Sequence, residues 1–543
     1  MAIIQEMLDN SAHHHVHIPD RKILTFIGVL SAMFLSALDQ TIVGTAMPRI
    51  VSELHGFDRY TWVTTVYLLT STAMVPVVGK LSEQLGRKRI FLTGIIMFLL
   101  GSALSGFAGR ADPLFGISGM NQLIIFRGLQ GIGGGVLTGT AFAIIADLFS
   151  PAERGKYTGM MAGIFGVASV VGPLVGGYLT DNVGWRWVFY VNIPIGIVVL
   201  LALFFTFPSL KRHGISNKID YVGAFGIASA AALLTLGASL AGANGWAFPW
   251  VWVCIAIGMI VGSATIIYET KIPEAVIPPQ LFKNSIFSLS MIVTFLSGVG
   301  MFGAIIYLPL FLQGVVGVGA TNSGLLLLPL MAGLVAGSIG GGFLVSHTGK
   351  YKIQASAGFL LMTFGMFLLG QLKVSSPESQ VAFDMIFVGL GLGISMPVFN
   401  VISQNAVSRK FVSSATSTIQ FTRQIGGSLG LAVFGSIVNQ QFENNLKHNI
   451  PLQTYASLPP KLQSTFNNPQ SLFGNNLQNV VSGIHDPKIL SIIHIVVEAI
   501  KLSLAQSLTS IFTLGMFVMI FGFFITLFIK EIPLQRAGAW RDE

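Results

Sequence analysis

Long apolar runs separated by short polar connectors dominate this chain, and each run is close to the length that crosses a bilayer. A hydrocarbon core roughly 30 Å thick needs about 20 apolar residues in a helix. Runs of this kind predict helices at 23–47, 61–79, 90–109, 121–143, 157–178, 188–208, 220–241 and 249–268. Six more follow at 286–311, 322–345, 353–371, 383–404, 411–438 and 502–529. The thirteenth is polar for a span, and the pattern defines the start of the fourteenth less sharply than the rest. The expected fold is an all-α polytopic membrane protein with fourteen transmembrane helices.

Charge on the connectors tests that count. Lys and Arg concentrate in connectors that face the cytoplasm. With the N-terminus inside, alternate connectors and the two ends hold 20 of the 31 basic residues, among them Arg21, Lys22, Lys80, Arg87, Lys88 and Arg89. The outward connectors hold nine, and the remaining two, Arg127 and Arg423, lie inside spans. Both termini are therefore expected in the cytoplasm, with the chain in a plasma or inner membrane. Residues 1–22 read as a cytoplasmic tail rather than a signal peptide, because Arg21 and Lys22 lead directly into a long first span. Its His13, His14, His15 and His17 could bind metal adventitiously, but a disordered tail suits their setting better. Residues 530–543 form the other cytoplasmic tail. The outward segment 440–500 is long, poor in charge and rich in Asn, Gln, Ser and Pro, with scattered Leu and Phe. It is expected to be a partly ordered extracellular cap with short helices, or else a plain spacer.

Composition excludes most other classes. Apolar residues make up 52% of the chain and charged residues 10%, with mean hydropathy +0.73. A soluble domain carries about 25% charge, so there is too little polar surface here for one. The formal charge of +9 forms no basic tract, which argues against a nucleic-acid partner. A single cysteine, Cys254, leaves no disulfide framework and no cysteine metal site. There is no nucleotide-binding loop ending in Gly-Lys-Ser/Thr and no soluble domain to hydrolyse ATP. No cofactor and no metal are expected, nothing requires an oligomer, and a functional monomer is expected.

Chemistry concentrates where the apolar pattern breaks. Asp39, Arg127 and Arg423 lie inside spans, where an ionisable group is costly and by default functional. Asp39 sits in the outer half of the first span, where an acid exposed alternately to the two sides would suit a proton-coupled carrier; a structural acid locked to an arginine is the alternative. Arg127 either snorkels outward or is held by carbonyls or an acid from another helix, and Gln130 with the glycine-lined face beside it favours the second. Arg423 could counter a buried acid, orient a substrate or hold a helix junction. The second half of the chain shows no comparably obvious buried acid. Between the second and third spans, Gly79 and Gly86 allow a tight turn, and Glu83 can cap the next helix or pair with Arg87, while Lys88 stays at the headgroup level. Gly166, Gly172, Pro173, Gly176 and Gly177 predict a bend, since Pro173 removes a backbone donor and crowds the preceding turn. A substrate cavity is expected among Phe34, Gln130, Met160, Phe165, Phe302, Tyr307, Gln313, Asn400, Gln404, Gln420, Arg423 and Gln424, each of which taken singly also fits plain packing.

Together these stretches resemble the major facilitator superfamily, in its fourteen-helix drug:proton antiporter branch. Residues 79–89 are similar to the GxLaDrxGRK loop, with Glu83 in place of the usual Asp. Arg127, Gln130 and Gly131 fall on RxxQG, and Gly166 to Gly177 on the antiporter motif GxxxxxGPxxGG. Leu38 to Val43, with Ala46 and Pro48, is similar to LDxTIVNxALP, with Gly44 replacing the Asn. Trp185-Arg186-Trp187, with Phe189, Asn192, Pro194 and Gly196, resembles WRWxFxINxPxG, and Arg423 to Gly430 another stretch of the branch.

The resemblance implies a six-helix bundle at 23–208, a two-helix insertion within 209–285 and a second six-helix bundle at 286–529, rocking around a central cavity. It implies export of amphipathic or cationic compounds, drugs or antibiotics among them, driven by the proton gradient. On that reading Asp39 is the leading proton site and Arg127 modulates it. Glu83 and Arg87 close the inner gate, and the Gly172–Pro173 bend keeps the bundle interface tight. A lipid or glycolipid carrier on the same fold is a second reading, with membrane lipids as substrates. A non-transporting membrane sensor or assembly factor is a third.

Overall fold

The structure, a computed structural model, describes residues 21–54, 59–110, 116–149, 151–208, 220–272, 275–318, 322, 325–450 and 487–533. Among these residues lie fourteen long helices and no extended strand. The first eight are α1 (Arg21–Leu54), α2 (Tyr60–Leu85), α3 (Arg87–Phe107), α4 (Gly119–Leu148), α5 (Pro151–Asn182), α6 (Asn192–Thr206), α7 (Tyr221–Asn244) and α8 (Pro249–Glu269). The other six are α9 (Ser285–Phe311), α10 (Leu328–Thr348), α11 (Lys352–Gly370), α12 (Glu378–Asn405), α13 (Val412–Asn449) and α14 (Pro487–Leu527).

Local chemistry sets several of the ends. Asp220 caps α7 by accepting from the Gly223 amide at 2.8 Å, and Asn284 caps α9 by accepting from the Ile286 amide at 2.9 Å. Gly86, with φ +95°, turns the chain from α2 into α3, a conformation that a side chain would strain. The expected sixth span is broken at its start, where a one-turn helix Trp187–Tyr190 precedes α6.

Thirteen helices are long and apolar enough to cross a membrane; α13 is the exception. Its polarity follows from its surroundings. It packs against α9, α14, α7, α2 and α4, so its Ser, Thr, Gln and Arg side chains face protein rather than lipid. The largest departure from expectation lies in 440–500. The stretch 440–449 continues α13 and 487–500 opens α14, so both flanks are helical extensions rather than loop. At 38 residues α13 is roughly 57 Å long, well beyond a bilayer core. The two extensions hold each other through Asn449 Nδ2, which donates to Ser503 Oγ at 3.0 Å and to Gln506 Oε1 at 3.1 Å. The expected cap at 451–486, the tail at 1–20 and the end at 534–543 lie outside the described residues.

Among the first six helices, α4 is the buried centre, packed on α2 and α3, while α1 lies on α5 and α6. Among the last six, α12 lies between α10 and α11, and α9 packs with α13 and α14. The two sets meet where α5 packs on α10 and α12, and where α2 and α4 pack on α13. Helix α7 rests on both α2 and α13, and α8 packs on α7. The outer face of α8, with Trp250, Trp252, Met259, Ile260 and Ile267, is exposed and apolar, as a lipid-facing helix requires.

Candidate functional site

Asp39 and Arg127 are brought together at the centre of the first six helices. Both are closed off from solvent, at 0% and 1% exposure. Arg127 Nη1 donates to Asp39 Oδ2. The other carboxylate oxygen, Oδ1, accepts from Gln130 Nε2 at 2.8 Å and from Asn192 Nδ2 at 3.1 Å. Arg127 and Gln130 lie one turn apart on α4, which puts both on the face toward α1, and Arg127 Nη1 also donates to Gln130 Oε1 at 2.7 Å. The guanidinium sits 4.3 Å from the Tyr67 ring centroid. Asn192 donates in addition to Ser102 Oγ at 3.1 Å, and Ser102 donates to the Phe189 carbonyl at 2.8 Å. Side chains from α1, α2, α3, α4 and α6 thus converge on one carboxylate.

Sequence reasoning identified Asp39, Arg127 and Gln130 but missed Asn192, Ser102 and Tyr67 as their partners. Asn192 was detectable, since it is the polar residue that opens an otherwise apolar helix. Ser102 and Tyr67 carry no such signal, because serine and tyrosine are ordinary in packed membrane helices.

The ends of α2, α3 and α4 around Gly86 carry a second cluster. Arg87 Nε donates to Asp147 Oδ2, at the end of α4, at 2.9 Å, and Nη1 donates to the Gly79 carbonyl at 3.2 Å. Glu83 lies 3.9 Å from Arg87 and 4.0 Å from Lys80. Two details of this loop differ from expectation. The turn is at Gly86 alone, and Gly79 lies within α2. Its missing side chain lets α13 close in, because a Cβ there would run into Ser417, and Ser413 Oγ donates to the Gly79 carbonyl at 3.0 Å. Glu83 lies between Lys80 in α2 and Arg87 in α3, as expected of its pairing with basic groups. Lys88 donates to the Phe204 and Phe207 carbonyls, at 2.6 and 3.2 Å, and so anchors the end of α6 instead of the cluster. Asp147 was missed, because it sits at the far end of another span. A second contact crosses between the two helix sets here: Arg154 Nη1 donates to Gln404 Oε1 at 3.4 Å.

The glycines of α5 divide between two partners. Gly159 and Gly166 face α10, at Ser338 and Met331, whereas Gly172 and Gly176 face α1, at Thr41 and Thr45. Gly177 faces open space, so it is not part of that tight packing. Pro173 lies inside α5, and Thr41 Oγ1 donates to the Ala168 carbonyl at 2.9 Å just before it.

The expected cavity residues are spread over several helices. Phe34 and Phe165 pack together in the first set of helices, and Met160 belongs to the neighbouring core. Phe302 and Tyr307 lie along α9 against α13, where Tyr307 Oη donates to the Leu431 carbonyl at 3.2 Å. Gln313 is in the π turn Leu312–Val316 that follows α9, and Gln404 meets Arg154 where the two helix sets join. Asn400, Gln420 and Arg423 do meet. Arg423 Nη1 donates to Gln420 Oε1 at 2.8 Å, and Gln420 Nε2 donates to Asn400 Oδ1 at 3.1 Å. Gln424, next to Arg423, is half-buried. The second half also holds a buried acid that the sequence did not reveal: Asp384, 3% exposed, lies more than a turn inside α12. It stood at the edge of the expected span, which hid its depth. A largely apolar cavity of about 310 Å³ lies elsewhere, at the ends of α10, α11 and α12 around Leu344, Lys350, Ile353 and Gln354.

A family model described as Major Facilitator Superfamily matches residues 29–431. The chain belongs to the major facilitator superfamily. It is 37% identical over 529 residues to the multidrug transporter protein MdtP of Bacillus subtilis, covering 96% of this chain and 95% of that protein. It is also 37% identical over 425 residues to multidrug resistance protein 3 of the same bacterium, covering 77% and 80% of the two chains. Solved structures share the fold at low identity. The human organic anion transporter MFSD10 aligns with TM-score 0.60 and 14% identity, over 94% of this chain and 99% of that one. A bacterial homologue of the human lysosomal transporter Spinster aligns with TM-score 0.57 and 18% identity, over 94% and 98%. As a major facilitator protein the chain is a multi-pass secondary transporter working by alternating access, not an enzyme. The matched region contains both the Asp39–Arg127 centre and the Arg423 cluster.

Proposed function

We propose that this transporter exports amphipathic compounds, drugs and antibiotics included, from the cytoplasm in exchange for external protons, with Asp39 as the proton-carrying acid. Similarity to two multidrug proteins over most of the chain supports the substrate class. The observation that carries the coupling is the buried contact of Arg127 with Asp39. A proton on Asp39 removes the counter-charge of Arg127, and an unpaired buried charge costs several kcal/mol. Protonation therefore drives the guanidinium toward its other partners, Gln130, the Val63 carbonyl and the Tyr67 ring. Helices α1, α2 and α4 then shift relative to one another, so a proton is read as a change in packing.

Alternating access needs a seam that opens and closes. In the present structure the cytoplasmic side is held through Gly79 with Ser413 and through Arg154 with Gln404, with Arg87, Glu83 and Asp147 bracing the ends of α2, α3 and α4. This reading places both termini in the cytoplasm, following the basic connectors. The test is proton movement in proteoliposomes during efflux of a cationic and a neutral amphipath. Efflux coupled to proton uptake is expected in the wild type and is lost in Asp39→Asn at equal protein content. Undiminished coupling in that variant would overturn the role of Asp39.

A further inference from the structure

We infer that Arg423 is a binding site for a carboxylate, so that the compounds this protein carries include organic anions or zwitterions. This rests on the exporter reading above and names a substrate class for it. Arg423 is 3% exposed and sits about midway along the bilayer-crossing part of α13, eleven residues from the helix start. An arginine side chain stays charged, and a buried charge calls for a partner. Among the described residues no acid pairs with it. Its one hydrogen bond runs from Nη1 to Gln420, whose own amide is oriented by Asn400. The Nε and Nη2 donors are buried and have no partner.

The identity of those two donors selects the ligand. Nε–H and Nη2–H form the side edge of the guanidinium, two parallel donors spaced to meet both oxygens of a carboxylate. The Gln420 contact fixes the plane and leaves that edge free. Nearby, Gln424 Oε1 and Thr294 Oγ1 are likewise buried without partners, and Thr294 lies one turn from Gly298, which abuts the Arg423 carbonyl. The contrast with the first half is clear, because Arg127 meets the Asp39 carboxylate while Arg423 meets no acid and keeps two donors in reserve. Access follows from position. Helix α13 lies in the seam with α2 and α4, so parting the two helix sets uncovers its polar face.

Equilibrium binding to the purified full-length protein in detergent tests this, using pyrene butyrate, its methyl ester and a pyrene-butyl trimethylammonium salt as fluorescent probes. The acid is expected to bind wild type about tenfold or more tighter than the ester. Arg423→Gln should bring the acid down to the ester's affinity while leaving the ester unchanged, which also shows that the variant is folded. Arg423→Lys, which keeps the charge but not the fork, should retain only part of the preference. Equal binding of acid and ester by wild type overturns the proposal without any variant, and so does an acid preference that survives in Arg423→Gln. No proton gradient enters this measurement. A negative result therefore leaves the exporter reading standing, and a failure of proton coupling in proteoliposomes leaves the carboxylate preference measurable.

Discussion

Arg127 reaches from α4 to the carboxylate of Asp39 on α1, and nothing of either side chain's charged end meets solvent. Breaking such a pair from one side costs about 3–5 kcal/mol, because the surviving charge stays buried. Asp39→Asn and Arg127→Gln should each lower thermal stability in detergent by that amount. The double variant removes both charges and should be more stable than the sum of the two losses. Simple additivity would mean that the two side chains are not coupled.

Asn192 offers a test that the sequence did not suggest. Its amide holds Asp39 Oδ1 and Ser102 together. Asn192→Ala should cost about 1–3 kcal/mol, the range for a buried polar group left unsatisfied. It should also shift the pH dependence of efflux, because the acid proposed to carry the proton loses one of its donors. An unchanged pH profile would leave Asn192 as packing alone.

Gly79→Ala probes the seam between α2 and α13. The added Cβ would strike Ser417, whose own Cβ cannot swing away, so α2 and α13 could no longer close. Efflux should fall by about tenfold or more, and a cysteine placed at Ser417 should become more reactive to a membrane-impermeant thiol reagent from the cytoplasmic side. Full activity in Gly79→Ala would show that the helices separate further than this contact allows.

The end of α1 carries a pH-sensitive clasp. Trp185 Nε1 donates to Glu53 Oε2 at 2.8 Å, and Arg186 reaches the same oxygen at 3.1 Å. The indole donor, with Arg186 and Arg49, holds the Glu53 carboxyl below its ordinary value of 4.5. A lowered acid contributes its stabilisation above the ordinary value and loses it as pH falls through the lower, folded-state value. Trp185 fluorescence should therefore be constant from neutral pH down to about 5 and change only in stronger acid, reversibly. In Glu53→Gln that acid transition should vanish. Glu53 is exposed, so the effect on overall stability is small.

Much of this protein was legible because hydrocarbon imposes a simple rule on sequence. Every backbone group must be satisfied within its own helix, so spans announce themselves as apolar runs. The rule weakens where a helix is sheathed by protein. Helix α13 reads as a doubtful span, and the extensions of α13 and α14 read as loop, because their Asn and Ser side chains meet each other instead of lipid. Asp39 and Arg127 stood out because single charges interrupt apolar runs. Their pairing did not, since 88 residues separate them and only packing brings α1 to α4. Asp147 and Asp384 were hidden by lying near span ends, where charge is ordinary. The cavity was the least legible feature. Phe, Met and Gln side chains along many helices fit either a wall or a core, and spacing alone does not distinguish them.

Helix α7 touches α2 on one side and α13 on the other. A twelve-helix transporter would leave two side doors to the lipid, one along each line where its halves meet. Here one door has a panel across it, with α8 as its outer skin. A hydrophobic compound dissolved in the bilayer would have to use the opposite line, between α5 and α10, where Gly159, Gly163 and Gly166 let the two helices lie flush. Any entry from the membrane would then be one-sided.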